Sequence, residues 1–173
     1  MNAFPPEDIR DFLQLSAGEW LALRSLLDPD GPEEVEEPLE KRLEPDAVSQ
    51  RWHQAERGEL KVSVLEPHGP QDWGGLEVCP PDGTSVRLSF RRDGTVELGN
   101  QWGRWQLAAD GSLELEMALE GRVVKERIWF SKPNLRLRCT LEQSLDGRPG
   151  RASFSSEIRR VRRPEDVERR TLA

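Results

Sequence analysis

Four Asp-Gly dipeptides punctuate this chain from residue 82 onward: Asp82-Gly83, Asp93-Gly94, Asp110-Gly111 and Asp146-Gly147. Both residues tolerate positive φ, so Asp-Gly between alternating apolar runs closes a hairpin whose twist matches its strands. Such runs are present as Leu60/Val62/Val64, Val86/Leu88/Phe90, Leu113/Leu115/Met117 and Leu135/Leu137/Cys139/Leu141. Hairpins that follow one another every 10 to 35 residues or so build an antiparallel meander of about eight to ten strands. A sheet of that size within 173 residues must close or fold over, or its edges stay open to other chains. Consecutive hairpins without crossovers favour an up-and-down β-barrel; a β-sandwich is the other solution.

One helix precedes the meander. Pro5-Pro6 leads in, Glu7 and Asp8 suit the positive end, and Ile9, Phe12, Leu13 and Ser16 fall on one face. Gly18 stops it, so the helix is expected over about residues 6–17. The whole chain, 1–173, reads as a single domain of a size that buries a real core. The Pro/Glu-rich stretch 28–45 lacks periodicity and reads as a mobile acidic loop at the barrel rim. Its Asp28-Pro29-Asp30-Gly31 lacks the spacing and closing Glu of a calcium loop. Residues 160–173 read as a solvated basic tail.

A net charge of -7 argues against a general nucleic-acid binder. Charged residues make up 33% of the chain and no long apolar run occurs, which argues against a transmembrane helix or a secretory signal and leads us to expect a cytoplasmic protein. Two cysteines, Cys79 and Cys139, and two histidines, His53 and His68, show no metal-ligand spacing, so no metal site is expected.

The chemistry concentrates in Glu126-Arg127-Ile128-Trp129-Phe130, Asn134-Leu135-Arg136-Leu137-Arg138 and Ser153-Phe154-Ser155-Ser156-Glu157-Ile158-Arg159. Strand alternation puts Arg136 and Arg138 on one face, and Ser155, Glu157 and Arg159 on one face of the next run. It sets Glu126, Ile128 and Phe130 against Arg127 and Trp129, and groups Trp20, Ala22 and Arg24. The apolar-inside rule would turn the leucines to the core and Arg136, Arg138 and Glu157 to water. A partly polar lumen that holds an acidic ligand would turn them inward, since arginine's planar fork suits carboxylates and an aromatic ring supplies a stacking wall. The residues alone leave both placements open.

Gly18-Glu19-Trp20 resembles the Gly-x-Trp start of lipocalins. Together with Asp11 to Ala17, Arg24 and the three runs above, in that order and spacing, it resembles the S/U-type (CpcS/CpeS-type) phycobiliprotein chromophore lyases across nearly the whole chain. That resemblance implies a lipocalin-like, fatty-acid-binding-protein-like barrel with an N-terminal helix. It implies binding of a linear tetrapyrrole, phycocyanobilin or phycoerythrobilin, as substrate with no prosthetic group. It implies delivery of that bilin to a cysteine of an apo-phycobiliprotein subunit, the β subunit by expectation, by a chain that works alone, as a homodimer, or as a heterodimer with a related subunit. By motif position, Glu126 and Glu157 take the catalytic role, and Arg136, Arg138, Arg24, Arg159 and Trp129 hold the bilin. Ser25-Leu26-Leu27 stands where members usually carry a histidine pair, and Ser155 where cysteine is common. A non-catalytic bilin carrier or the partner subunit of a two-component lyase is the alternative. Arg136→Ala and Glu157→Gln are expected to weaken transfer with the fold intact.

Overall fold

The structure is a computed structural model that describes residues 4–28, 54–80 and 83–161, apart from the side chains of residues 54–56 and 149. All but Asp28 of the expected acidic loop, and the basic tail beyond residue 161, lie outside the described residues.

The chain opens with α1 (Ile9–Ser16). Asp8 is extended and its side chain accepts the Asp11 N–H at 2.9 Å, which satisfies one of the free amides of the first turn. That cap starts the helix after Pro5-Pro6 rather than within it. Ile9, Phe12, Leu13 and Ser16 are its buried face. Eight residues do not hold a helix alone in water; burying the three apolar side chains supplies about 2 kcal/mol each.

Ten strands follow: β1 (Gly18–Leu27), β2 (Gln54–Leu65), β3 (Asp72–Cys79), β4 (Val86–Arg91), β5 (Thr95–Leu98), β6 (Gln101–Leu107), β7 (Leu113–Leu119), β8 (Arg122–Lys132), β9 (Leu135–Ser144) and β10 (Pro149–Arg159). Sequential strands pair antiparallel, and β1 pairs with both β2 and β10, so the barrel closes. The meander therefore takes the barrel solution and not the sandwich. Three hairpins share one device. The carboxylates of Asp93, Asp110 and Asp146 accept the N–H two residues on, at 2.9, 3.0 and 3.2 Å. The glycine between, at φ 84°, 78° and 86°, occupies left-handed backbone that a side chain would oppose.

The end of the barrel where β1 begins is plugged. There α1 packs against β2 and β3, and Pro5-Pro6 touches Gly111 in the β6–β7 turn. Phe12 meets Phe130 edge-on at 5.3 Å, and Phe130 lies 6.1 Å from Trp20. Along β2 to β7 the inward side chains are apolar, with Val62, Leu76, Phe90, Val96, Leu113, Leu115 and Met117 buried. Along β9 and β10 the polarity inverts, and β1 is mixed, with Trp20 buried inside and Leu21 and Leu23 outside. Arg136, Ser153, Ser155 and Glu157 are buried, while Leu21, Leu23, Leu141, Phe154 and Ile158 are exposed. The apolar-inside rule thus fails on β9 and β10, where Arg136 and Glu157 turn inward.

Candidate functional site

The site begins at the plug. Trp20, at the foot of β1, donates its indole N–H to the Ser16 carbonyl at 2.9 Å. Two guanidiniums stack on that indole: Arg159 at 4.2 Å and Arg136 at 4.6 Å from the ring centroid. Arg159 also donates to the carbonyls of Leu15 and Ala17 and, at 3.4 Å, of Pro133. It therefore closes the free carbonyl end of α1 with a positive charge, where the helix dipole is negative.

From this floor a charged wall rises. Register places Phe130, Arg136, Glu157 and Ala22 in one row across β8, β9, β10 and β1, and Ile128, Arg138, Ser155 and Arg24 in the next. Glu126, Thr140 and Ser153 form a third. Arg136 Nε donates to Glu157 Oε2 at 2.5 Å, both side chains being 2% exposed. Arg138 Nε donates to Glu157 Oε1 at 3.2 Å and its Nη1 to Glu126 Oε1 at 2.9 Å. Thr140 adds its hydroxyl to the same Glu126 oxygen at 3.2 Å, and Arg24 reaches Ser153 Oγ at 3.4 Å. Accessibility grows upward: Arg138 and Glu126 are 26% and 19% exposed, and Arg24 more so.

Two arginines and two glutamates balance, which lets the wall leave water without a net charge. Burial pushes Arg136 down to about 10, against the pull of Glu157. Burial also works against charge on Arg138, but the Glu126 and Glu157 carboxylates outweigh it and raise its basicity. Burial lowers Arg159 as well. Arg136 remains cationic at neutral pH, yet its buried Nη2 has no hydrogen-bond partner among the described residues, nor has Ser16 Oγ. A buried guanidinium N–H left open is a position for an acceptor oxygen.

Four of the residues read from sequence, Glu126, Arg136, Arg138 and Glu157, thus form one connected network, with Arg24 above it. Arg159 sits below, engaged with the helix end. Trp129 is separated from them: alternation opposes it to Ile128 and Phe130, so it turns outward and lies 6.3 Å from Phe154. Its side chain therefore lies away from Arg136 and Arg138, and the ring beside the arginines is that of Trp20. Thr140 and Ser153 were missed, although the same alternation that grouped Arg136 with Arg138 and Ser155 with Glu157 reaches them. A groove of about 650 Å³ lies on the other side of the sheet, where Arg104, Glu116, Lys125, Trp129, Cys139 and Leu141 of its lining turn outward.

The fold is a closed lipocalin-like barrel with one apolar and one ion-paired inner wall. Residues 81–160 match the family of CpeS-like proteins. The chromophore lyase CpcS/CpeS 1 of Paulinella chromatophora is 38% identical over 162 residues, 92% of this chain and 92% of its own. The chromophore lyase CpcS/CpeS of Thermosynechococcus vestitus is 28% identical over 180 residues, 88% of this chain and 92% of its own. The S-type phycobiliprotein lyase CPES of Guillardia theta superposes with a TM-score of 0.57 at 18% identity, over 90% of this chain and 94% of that one, a likeness of fold. The chain belongs to the CpcS/CpeS chromophore lyase family.

Proposed function

We propose that this chain is a phycobiliprotein lyase that binds a linear tetrapyrrole in the barrel lumen and delivers it to a cysteine of an apo-phycobiliprotein subunit. The inward Arg–Glu wall facing an apolar wall carries this reading. A bilin has a flat apolar body, two propionates and pyrrolic N–H groups, so both walls find a counterpart. Arg138 and Arg24, the accessible cations, take the propionates, and the open N–H of buried Arg136 takes the deepest acceptor oxygen. Glu126, held by Arg138 and Thr140, accepts from the pyrrole N–H groups. Glu157, closed in by Arg136 and Arg138, holds both arginines in position.

The transfer is an addition. The partner's thiolate bonds to the ring A ethylidene carbon, the exocyclic double bond opens, and the proton ends on the tetrapyrrole. A carboxylate on the pyrrole N–H groups favours the protonated bilin, which makes the ethylidene more electrophilic. The remaining contribution is to hold the bilin extended and out of water. Cys79 and Cys139 pair in register with the outward positions Lys61 and Arg127, so both thiols turn from the lumen and leave the bilin free for the partner. Phycocyanobilin and phycoerythrobilin are the substrates, an apo-β subunit the acceptor, and the cytoplasm the compartment proposed.

The test is one incubation of protein, either bilin and apo-β subunit, then denaturation and reading by absorbance and zinc fluorescence. Covalent bilin above the lyase-free control supports the proposal. Glu126→Gln and Arg138→Gln, at the accessible end of the wall, should each lower the yield by about tenfold or more with the fold kept. A spectral change without covalent product would make the chain a carrier or half of a two-component lyase. No spectral change with either bilin would remove the proposal.

A further inference from the structure

The inner ion pairs do not end at Glu126. On β8 the inner positions run on from Glu126 to Val124 and Arg122, and on β9 from Thr140 to Glu142. Register fixes the side: Arg122 stands opposite Leu119 and Glu142 opposite Val124, and both apolar residues pack on the core. Arg122 Nη1 donates to Glu142 Oε2 at 2.9 Å. A bulge in β10 sets Arg151 against Glu142, and Arg151 Nε donates to Asp28 Oδ2, at the end of β1, at 2.8 Å. A second group of charges thus occupies the end of the barrel away from α1. Four residues at about 3.4 Å each separate Glu142 from Arg138 along β9, so it lies about 14 Å farther up the wall. The Arg122 and Glu142 side chains are 47% and 24% exposed, against 2% for Arg136 and Glu157. A pair so exposed adds little to stability, although it occupies inner positions that apolar residues fill on the neighbouring strands.

We propose that Arg122 receives the cysteine of the acceptor subunit as its thiolate, with Glu142 holding the guanidinium in place. This assignment rests on the lyase reading above. The helix closes one end of the barrel and the strands pair all the way round, so the partner's sulfur reaches a bilin in the lumen only from the end where Arg122 stands. With the propionates on Arg138 and Arg24 and the pyrrole N–H groups on Glu126, ring A lies toward the same end. Arg122 spends Nη1 on Glu142; its Nε and Nη2 make no hydrogen bond among the described residues and point a cation's donors at an incoming anion. A thiol is nucleophilic only as thiolate, and a neighbouring guanidinium lowers its pKa from about 8.5. The thiol gives its proton to water, sulfur bonds to the ethylidene carbon, the exocyclic double bond opens, and the tetrapyrrole takes a proton back. The sum is addition of S–H, with no oxidant or reductant. The other charges around this site are Arg151 with Asp28, and Glu120 in the β7–β8 turn. From β3 to β6 the inner positions at this level are Val78, Val86, Leu98 and Gln101, all uncharged.

The test is the single-turnover rate of transfer from phycocyanobilin-loaded protein to excess apo-β subunit, between about pH 6 and 9.5, with the lyase-free rate subtracted. Arg122→Gln should move the acid limb up by about one unit, which lowers the rate about tenfold at neutral pH and lets it recover near pH 9.5. Arg122→Lys keeps the charge and most of the rate. Glu142→Gln removes the opposing charge and should move the limb the other way. Bilin affinity and far-UV circular dichroism should stay as in the parent. Limbs that coincide in the parent, Arg122→Gln and Glu142→Gln would overturn the proposal. So would weakened bilin binding in Arg122→Gln with an unmoved limb, which would make Arg122 a bilin ligand. A parent that transfers nothing at any pH removes the lyase reading and this site with it; a parent that transfers while the limbs coincide removes this site alone.

Discussion

Glu157→Gln tests the wall most directly. Glu157 accepts from Arg136 at 2.5 Å and Arg138 at 3.2 Å, and the Arg136 pair is 2% exposed. An amide of equal size keeps the shape and removes the only charge that compensates Arg136, whose remaining salt-bridge partners among the described residues are none. Breaking a buried pair from one side costs about 3–5 kcal/mol, a large part of the roughly 5–15 kcal/mol that holds a domain. At about 2–4 °C per kcal/mol for this chain length, the melting temperature should fall by roughly 6–20 °C. The expectation of an intact fold in Glu157→Gln or Arg136→Ala is therefore revised: these substitutions strike stability first, and Glu126 and Arg138 are the sites for reading function. Arg136→Met with Glu157→Leu removes both charges, and Arg138 keeps Glu126, so the double variant should return to within about 1 kcal/mol of the parent. Urea unfolding followed by tryptophan fluorescence reads this, because Trp20 stacks on Arg136 at 4.6 Å. Raising the pH adds a second reading. Burial lowers Arg136 from its ordinary value to about 10, so above that pH the folded state binds fewer protons than the unfolded chain and stability gains from this group as pH rises. Glu157 raises Arg136, so without it the onset moves to lower pH and the deficit of Glu157→Gln narrows as pH rises. A single-variant cost under about 1 kcal/mol, or a double-variant cost equal to the sum of the singles, would refute the buried-pair account.

Arg159→Met should cost about 2 kcal/mol and shift the Trp20 emission, and Arg159→Lys should restore only part, since an ammonium cannot stack and bridge the carbonyls of Leu15 and Ala17 together. Gly103→Ala places a Cβ against the Glu116 carbonyl and the Met117 sulfur across the β6–β7 pair; roughly 1–3 kcal/mol of stability should be lost in urea titration. Hydrogen bonds from Thr95, Ser112 and Ser144, followed by backbone amides, hold the carboxylates of Asp93, Asp110 and Asp146 below their ordinary value of 3.8. Their contribution is complete above that value and lost as pH falls through the lower folded values; Asp110→Asn should flatten the acid limb of the stability curve, and an unchanged limb would remove the turns from the account.

Local chemistry wrote the strands and turns of this protein into its sequence. Asp-Gly pairs fix hairpins because only a few residues tolerate their backbone, and alternation marks strands because successive side chains leave opposite faces. The face of α1 was legible for the same reason, since Ile9, Phe12, Leu13 and Ser16 follow the helical period. Alternation also grouped Arg136 with Arg138 and Glu157 with Ser155, but it names two faces without saying which is inside. On β2 to β7 the apolar residues answer that question; on β9 and β10 they answer it wrongly, because closure of the ring puts the arginines in and the leucines out. The resemblance supplied four members of the wall, and the tertiary structure decided how they join. Glu157 neutralises Arg136 from a neighbouring strand, 21 residues away, through a register that no local pattern contains. The same register separates Trp129 from the arginines and brings Trp20, at the far end of the chain, against both Arg136 and Arg159. Charge burial depends on partners that meet only when the barrel closes, and for that reason the wall belongs to the fold rather than to any one segment.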